Sequence, residues 1–383
     1  MNSTTHKAQT KYRPDIDGLR AIAIISVVFY HAGFPGFPGG FVGVDVFFVI
    51  SGYLITALLF NEAVSHGHVN LSAFYARRVR RLMPAALLVV AITLLLGGLF
   101  LPPASSEQRS LARSAIAMAF FGSNFFFFKN TGGYFDAPSF SLPLLHTWSL
   151  SIEEQYYLIW PLLMMLFFRL TRTPQMIEKM RRRVICALGI MLFTSLVLCI
   201  STTPKHQSFA FYLLPARVWE FALGGIIGLV GQSFYTRLRR YAETLALSGL
   251  ALIIYSVTAL SHSTPFPGWA AMFPVFGTAL LIVGLSANEH GVARRMLCAK
   301  PLVLIGLLSY SWYLWHWPLL SIYRIYNMGA ENLLHNALLI TLALGLAFLT
   351  FIRIERPIRL HRPWLFSRVR STLFVGLGIC LTT

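Results

Sequence analysis

The sequence predicts an all-α, polytopic integral membrane protein with about ten transmembrane helices. Hydrophobic residues make up 56% of the 383 residues and charged residues only 12%, whereas a soluble domain carries about 25% charged residues. The mean hydropathy is +0.63. Ten apolar windows are long enough to cross a bilayer, namely 17–33, 41–60, 83–101, 146–168, 184–200, 212–230, 243–261, 267–286, 303–325 and 333–352. We therefore expect one transmembrane domain over residues 17–352.

Short clusters of Arg and Lys between the windows account for most of the formal charge of +18. Counting ten spans from a cytoplasmic N-terminus places every cluster in a cytoplasmic loop, as the positive-inside rule requires. The clusters therefore predict membrane topology and exclude a nucleic-acid surface. Residues 1–16 are expected to form a cytoplasmic N-terminal segment, and residues 353–371 a cytoplasmic basic segment.

Three further segments fall outside the ten windows. Residues 105–128 are apolar but carry Glu107 and Arg109, and a full span there would move later basic clusters to the outer side. We expect this stretch to be re-entrant or to line a cavity. Residues 69–82 place apolar side chains opposite arginines, which predicts an amphipathic helix on the cytoplasmic face. Residues 372–383 are apolar and are predicted to begin an eleventh helix.

The first window holds an arginine and a histidine on one helical face. Arg20 is followed by ten residues and then His31, so the two side chains share nearly the same azimuth about 16 Å apart along the axis. Ionisable groups inside an apolar span are costly and usually mark a functional site. Asp45, at the start of the second window, lies at a matching depth to orient the His31 imidazole. The alternative for Asp45 is a carboxylate favoured by the helix dipole.

Other windows contribute further ionisable candidates for a site. The fourth window contains His146, Glu153 and Glu154. The two glutamates point about 100° apart, so one of them is expected to face a polar cavity, and the sequence does not indicate which. His316 lies near the middle of the ninth window among tryptophans. His146, Glu153 and His316 are candidates for substrate binding.

Arg217 and Glu220 in the sixth window are also candidates for substrate binding. They are three residues apart and therefore lie on one helical face. The alternative is that the two side chains only pair with each other.

The arginines of residues 69–82 support two interpretations. Arg77, Arg78, Arg80 and Arg81 either set topology and bind lipid head groups, or clamp the phosphates of a cytosolic cofactor. The sequence contains neither a P-loop nor a dinucleotide-binding fingerprint. Its four cysteines are scattered singly without metal-ligand spacing, so no metal is expected.

Five ordered strings carry a family resemblance: YRPDIDGLRAIAIISVVFYH, GGFVGVDVFFVISGYLI, FYARRVRRLMPA, LLHTWSLSIEEQYYLIWP and YSWYLWHWP. The sequence resembles the acyltransferase type 3 family over residues 12–360. Within that family it is similar to the O-antigen and exopolysaccharide O-acetylases of bacterial inner membranes. The resemblance implies that cytosolic acetyl-CoA donates an acetyl group to a hydroxyl of a surface glycan or lipid-linked saccharide on the outer side.

The resemblance also carries site residues onto this chain. The motif residues fall on Arg20 and His31, on Ser51, Gly52 and Tyr53, on Arg77, Arg78 and Arg81, and on Glu153 and Glu154. Arg20, Ser51, Tyr53 and the three arginines are expected to bind acetyl-CoA. Some family members continue through an eleventh helix into an external SGNH-hydrolase-like domain, which is therefore an expected partner.

Acyl transfer to an alcohol requires a base for the hydroxyl proton and positive charge for the oxyanion. We expect His31 to be the general base, with Asp45 or Glu154 orienting it. Arg20 is expected to hold the cofactor arm or the developing charge. A covalent acetyl-His31 intermediate is a variant of this mechanism.

A proton-coupled transporter or flippase is the alternative function. His31, Asp45 and the glutamates would then form a proton relay. Transporters commonly show internal repeats, and the two halves of this sequence show none.

Overall fold

The computed structural model describes residues 12–103, 105–135, 142–169, 174–330, 332–361, 369 and 371–372. Every regular element in these ranges is helical. Most of the predicted N-terminal segment, much of the basic segment 353–371 and, beyond residue 372, the predicted eleventh helix lie outside the described residues.

The α-helices of the described ranges are, in chain order, α1 (Pro14–His31), α2 (Gly43–His66), α3 (Leu71–Phe100), α4 (Ser106–Ala119), α5 (Ser123–Asn130), α6 (Thr147–Arg169), α7 (Pro174–Thr202), α8 (Gln207–Tyr212), α9 (Val218–Leu229), α10 (Gln232–Leu238), α11 (Ala242–Ala259), α12 (Met272–Ala287), α13 (Val292–Leu297), α14 (Lys300–Tyr326), α15 (Leu333–Thr350) and α16 (Arg356–His361). Each of the ten apolar windows overlaps one of these helices. The fold class of the described residues is therefore all-α, as the sequence predicts.

Five helical stretches of the described chain are long and apolar enough to cross a membrane. They are Gly40–His66, Leu71–Phe100, Ile177–Thr202, Gln232–Ala259 and Leu333–Leu360. The chain is thus a multi-pass membrane protein, but the expected count of about ten spans is not confirmed. Length and hydropathy do not identify α1 as a span, since its 18 residues include Asp15, Asp17 and Arg20.

Residues 105–128 form the two short helices α4 and α5 instead of one long helix. The chain breaks between them at Phe121, which has a φ of 53°. Gln155 of α6 provides hydrogen bonds at this break. Its Nε2 donates to the Phe121 carbonyl at 2.9 Å and to Asn124 Oδ1 at 2.8 Å. Non-helical backbone at membrane depth needs such cover from the protein.

The expectation of a separate amphipathic helix over residues 69–82 is wrong. These residues are the first part of α3, a continuous helix of 30 residues that contains Pro84. Pro84 has no N–H to donate to the carbonyl of residue 80, and α3 nevertheless continues through it. The Tyr310 hydroxyl of α14 donates to the nearby Leu82 carbonyl at 2.8 Å. The arginines consequently lie on the same rigid helix as the apolar span.

Helix α1 packs against α2 and α14, and α2 packs against α9. Two glycines of α2 permit its contacts with α1 and α9. An added Cβ at Gly43 would lie 2.3 Å from the Ala23 carbonyl oxygen, and one at Gly52 would lie 2.0 Å from the Phe221 carbonyl oxygen. Small residues let membrane helices approach closely in this way. The contacts fix α1, α2, α9 and α14 relative to one another.

Replacing Gly52 by Ala is expected to destabilise the fold by at least about 2 kcal/mol, because overpacking forces the α9 backbone away. Gly98→Ala is the matched control, since an added Cβ at Gly98 in α3 meets nothing within 4 Å. That control should be neutral or stabilise by roughly 0.5–1 kcal/mol. Thermal unfolding of both purified variants in detergent measures the difference, and equal unfolding midpoints would contradict the close α2–α9 contact.

Candidate active site

Two buried histidines face each other at the end of α1. Nδ1 of His31 lies 2.9 Å from Nε2 of His316, and Nδ1 of His316 lies 2.7 Å from the Tyr313 carbonyl oxygen. A carbonyl only accepts, so Nδ1 of His316 carries a proton and its Nε2 accepts the proton on Nδ1 of His31. This assignment follows from the hydrogen-bond network. In the neutral pair, Nε2 of His31 is therefore the unprotonated, basic nitrogen.

A tyrosine hydroxyl lies at that basic nitrogen. The Tyr134 hydroxyl oxygen is 2.8 Å from Nε2 of His31, and the tautomer makes the hydroxyl the donor. The Tyr134 ring is buried and stacks on Phe211 with centroids 4.5 Å apart. Tyr134 comes from the chain between α5 and α6. His31 thus holds a hydroxyl at the distance that a general base requires.

Arg324 of α14 fixes the end of α1. Its Nη2 donates to the His31 carbonyl at 2.5 Å, and its guanidinium lies 5.7 Å from the centre of the Trp317 ring. The Trp317 ring in turn lies 4.4 Å from the His31 ring. Because the last carbonyls of a helix lack intrahelical donors, this buried arginine satisfies one of them and holds His31 in place.

His146, which directly precedes α6, joins the histidine pair. Its ring centroid is 5.8 Å from that of His316 and 5.3 Å from that of Tyr313. It is buried, and neither ring nitrogen has a hydrogen-bond partner among the described residues. The structure therefore brings together His31, His146 and His316, which the sequence placed in three separate windows. We call these three residues the histidine cluster.

The expectation that Asp45 orients His31 is wrong. Asp45 pairs with Arg217 at 3.1 Å, while both ring nitrogens of His31 bind other groups. Matching depth in two helices does not fix azimuth, and α2 turns Asp45 towards the start of α9. His316 orients the imidazole instead.

Asp45, Arg217 and Glu220 form a buried ion cluster. Arg217 also pairs with Glu220 at 3.1 Å, and each of the three side chains is at most 1% exposed. Four aromatic rings surround the guanidinium at 5.6 to 6.0 Å, those of Phe48, Trp148, Phe211 and Phe266. The structure thus shows the pairing alternative for Arg217 and Glu220, extended by Asp45.

The six residues expected to bind the cofactor line one cavity of about 620 Å³. They are Arg20, Ser51, Tyr53, Arg77, Arg78 and Arg81. Arg13 also lines the cavity, and Glu153 is the acidic residue among its lining groups. Five guanidinium groups and one carboxylate line this cavity. Three of the guanidinium groups pair with carboxylates outside the lining, Arg13 with Asp15, Arg20 with Asp17 and Arg77 with Glu62. The positive charge of Arg78 and Arg81 remains and favours anions. We call this space the arginine-lined cavity.

Glu153 lines the arginine-lined cavity and Glu154 does not. Glu153 accepts hydrogen bonds from Ser51, at 2.5 Å, and from Tyr157. The Arg78 guanidinium stacks over the Tyr157 ring, 3.7 Å from its centre. Glu154 borders a separate cavity of about 20 Å³ with Met83 of α3. The expectation that Glu154 orients His31 is therefore also wrong, because α6 turns its side chain towards α3.

Tyr313 and Ser149 lie between the arginine-lined cavity and the histidine cluster. Both residues line the cavity, whereas His31, His146 and His316 do not. The Tyr313 hydroxyl oxygen lies 2.7 Å from Ser149 Oγ and donates to the His146 carbonyl at 2.8 Å. The cavity and the histidine cluster are thus neighbours separated by one side-chain pair.

A family model described as an acyltransferase domain matches residues 13–352. The chain belongs to the acyltransferase type 3 family. The match covers α1 to α15 and so includes both the arginine-lined cavity and the histidine cluster.

Among curated proteins, the chain is similar to the peptidoglycan O-acetyltransferase OatA of Listeria monocytogenes, at 31% identity over 94% of this chain. It is 29% identical to the O-acetyltransferase OatA of Staphylococcus aureus over 91% of this chain. It is 30% identical to the putative peptidoglycan O-acetyltransferase YrhL of Bacillus subtilis over 95% of this chain. The matches span 57% of the length of each relative. No solved structure matches the chain.

Sequence reasoning missed three side chains that complete the site. Tyr134 lies outside the apolar windows and carries no pattern that marks it. Arg324 and Tyr313 lie in the ninth window with His316, one turn or two from it along α14. In the sequence, an arginine at the end of an apolar window looks like a residue that only sets membrane topology. The hydrogen bond from Arg324 to the His31 carbonyl shows that it also positions the site.

Proposed function

We propose that the chain is a membrane-embedded O-acyltransferase that moves an acetyl group from acetyl-CoA to a hydroxyl of a cell-surface glycan. One observation carries the proposal: the hydrogen-bond chain from the Tyr313 carbonyl through His316 makes Nε2 of His31 a base facing a hydroxyl. Family membership and the names of the relatives support acyl transfer. Those names favour peptidoglycan as the acceptor over the O-antigen or exopolysaccharide expected from sequence.

Acetyl-CoA is proposed to bind in the arginine-lined cavity. Arg forks match phosphate oxygens, and Arg20, Arg77, Arg78 and Arg81 line the same space. The cavity volume of about 620 Å³ falls within the range of small-molecule sites. Ser51 and Tyr157 donate hydrogen bonds to Glu153. These bonds would keep the Glu153 side chain of α6 in a fixed position in the cavity wall.

His31 is proposed to be the general base, with His316 as its positioning residue. A hydroxyl at the place of the Tyr134 oxygen would give its proton to Nε2 of His31 as its oxygen attacks the thioester carbonyl carbon. The carbon–sulfur bond then breaks, and the CoA thiolate takes up the proton. His31 Nδ1 stays protonated throughout, so His316 holds the ring in one tautomer.

Two routes differ in which hydroxyl attacks first. In one, the glycan hydroxyl displaces Tyr134 from His31. In the other, the Tyr134 oxygen takes the acetyl group and passes it to the glycan. Tyr134→Phe would leave activity largely intact by the first route and abolish it by the second. Trapping the acetylated protein and mapping the label by mass spectrometry would also separate both routes from an acetyl-His31 intermediate.

The proposed location is a bacterial inner membrane with the N-terminus in the cytoplasm. The arginine-lined cavity would then open towards cytosolic acetyl-CoA and the histidine cluster would lie towards the outer side. The basic clusters between the apolar windows support this orientation. An external SGNH-hydrolase-like domain, expected from the family resemblance, is a proposed partner of the chain.

Transfer of radiolabel from acetyl-CoA to glycan in proteoliposomes containing the full chain tests the proposed function. The transporter alternative makes a different prediction. It requires substrate-dependent proton flux while acetyl-CoA is not consumed. Label transfer without such flux supports the acyltransferase, and flux without label transfer would refute it.

Arg81→Gln is expected to raise the KM for acetyl-CoA by roughly 10- to 100-fold with little change in kcat, because a hydrogen bond to a charged group contributes about 1.5–3 kcal/mol. S-acetyl-N-acetylcysteamine is the control donor, since it carries the thioester without phosphates. Its KM should be the same for the variant and the wild type. Equal losses with both donors would show that Arg81 is structural and does not bind phosphate.

A further inference from the structure

Tyr313 lines the arginine-lined cavity and also contacts the histidine cluster. Tyr313 is buried at 6% exposure, and its hydroxyl oxygen lies 2.7 Å from Ser149 Oγ. The same hydroxyl donates to the His146 carbonyl at 2.8 Å. Ser149 lies in the first turn of α6 and His146 directly precedes that helix, whereas Tyr313 belongs to α14. The hydroxyl therefore ties two separate helices together.

The other side of Tyr313 faces the histidine cluster. Its ring centroid is 5.4 Å from that of His316 and 5.3 Å from that of His146. His31 lies beyond, hydrogen-bonded to His316. None of these three histidines lines the cavity. Tyr313 therefore lies between the cavity that it lines and the hydroxyl on His31.

His146 provides a polar group immediately behind Tyr313. It is 1% exposed, and neither ring nitrogen has a partner in the described part of the chain. A neutral imidazole has one N–H donor, and a buried donor without a partner is rare and needs an explanation. A carbonyl oxygen arriving past Tyr313 would satisfy it.

We propose that Tyr313, held by Ser149, is the gate through which the acyl group passes and the residue that limits the length of that group. This inference rests on the proposed function. Hydrogen bonds between neutral groups contribute little net free energy, so the bound donor can open the gate. A two-carbon acyl group needs a small displacement of the ring, whereas a longer chain needs the ring to leave a close-packed position. In the closed position the ring keeps water in the cavity from the histidine cluster.

The test compares Tyr313→Ala, Tyr313→Phe and Ser149→Ala with the wild-type chain in proteoliposomes. Release of the CoA thiol is measured with acetyl-CoA and with butyryl-CoA, each in the presence and absence of a soluble peptidoglycan fragment. Phe47→Ala is the matched control. It removes another ring of the cavity lining, contributed by α2 and not by α14, so it should change the rates with both donors by the same factor.

Tyr313→Ala is expected to raise the ratio of kcat/KM for butyryl-CoA to that for acetyl-CoA by at least about tenfold, since each methylene in a pocket contributes roughly 10-fold or more. Tyr313→Phe keeps the ring and loses both hydrogen bonds of the hydroxyl, and Ser149→Ala keeps the ring and loses one of them. They should leave the ratio close to that of the wild type and raise thiol release in the absence of acceptor several-fold.

An unchanged ratio in Tyr313→Ala, with both donors slowed equally, would overturn the proposal. If that variant does not fold, the two hydroxyl deletions decide, and thiol release equal to that of the wild type in both would overturn it. The same measurements distinguish a failure of the proposed function from a failure of the gate. A wild-type chain that releases no thiol from acetyl-CoA refutes the acyltransferase and the gate together, whereas an active wild type with an unchanged ratio refutes only the gate.

Discussion

His31→Ala should lower kcat for acetyl transfer by about 10²–10⁴-fold, the contribution typical of a general base. The KM for acetyl-CoA should change little, because the arginine-lined cavity does not include His31. The measurement is label transfer from acetyl-CoA in proteoliposomes over a range of donor concentrations. His262→Ala is the matched control, since His262 is an exposed histidine between α11 and α12.

His316 provides a second readout of the same mechanism. His316→Ala removes the acceptor for Nδ1 of His31 and lets the imidazole change tautomer. The expected loss of kcat is smaller than for His31→Ala, with KM unchanged. His316→Gln offers an amide oxygen to the same proton, so it should recover part of the loss. Full activity of His31→Ala would contradict the base assignment, and equal activities of the two His316 variants would contradict the positioning role.

Arg217→Met should destabilise the protein by about 3–5 kcal/mol, because it leaves buried carboxylates without their positive partner. Asp45 and Glu220 both pair with Arg217, and their side chains are 0% exposed. The measurement is thermal unfolding in detergent together with the yield of monodisperse protein. Arg240→Met at an exposed position is the control and should stay within about 0.5 kcal/mol of the wild type.

A variant that neutralises the whole ion cluster separates the effect of unpaired charge on stability from the effect of altered packing. The triple variant Arg217→Met, Asp45→Asn and Glu220→Gln keeps similar side-chain volumes and removes the unpaired charges. Replacing a complete buried ion pair is often close to neutral, so this variant should recover most of the lost stability. An Arg217→Met protein that unfolds at the wild-type temperature would contradict the assignment of the cluster as structural.

Helical periodicity predicts which residues share a face, and several residues that the sequence grouped together also lie together in the structure. Arg20 lines the arginine-lined cavity and His31 lies in the histidine cluster, at opposite ends of α1. Ser51 and Tyr53 of α2 line the same cavity as Arg20. These placements needed only the 3.6-residue period and the family motifs.

Contacts between helices depend on how each helix is rotated about its axis and on the angle at which two helices cross. The periodicity of a single helix predicts neither. The sequence predicts that Asp45 lies at the same depth in the membrane as His31, but the Asp45 side chain faces Arg217. Glu154 is adjacent to Glu153 in the sequence, but its side chain faces α3. Tyr134 reaches His31 from a connecting segment without any periodic signal. Residues 69–82 suggested a separate helix, but α3 continues from them through Pro84.

The central claim is that the arginine-lined cavity and the histidine cluster are the two ends of one acyl-transfer path across the membrane. Reconstituted vesicles with labelled acetyl-CoA outside only and a soluble peptidoglycan fragment sealed inside test it most directly. The wild-type chain should produce labelled glycan in the lumen, and His31→Ala should not. Labelled glycan that forms only when donor and acceptor share a compartment would contradict the claim.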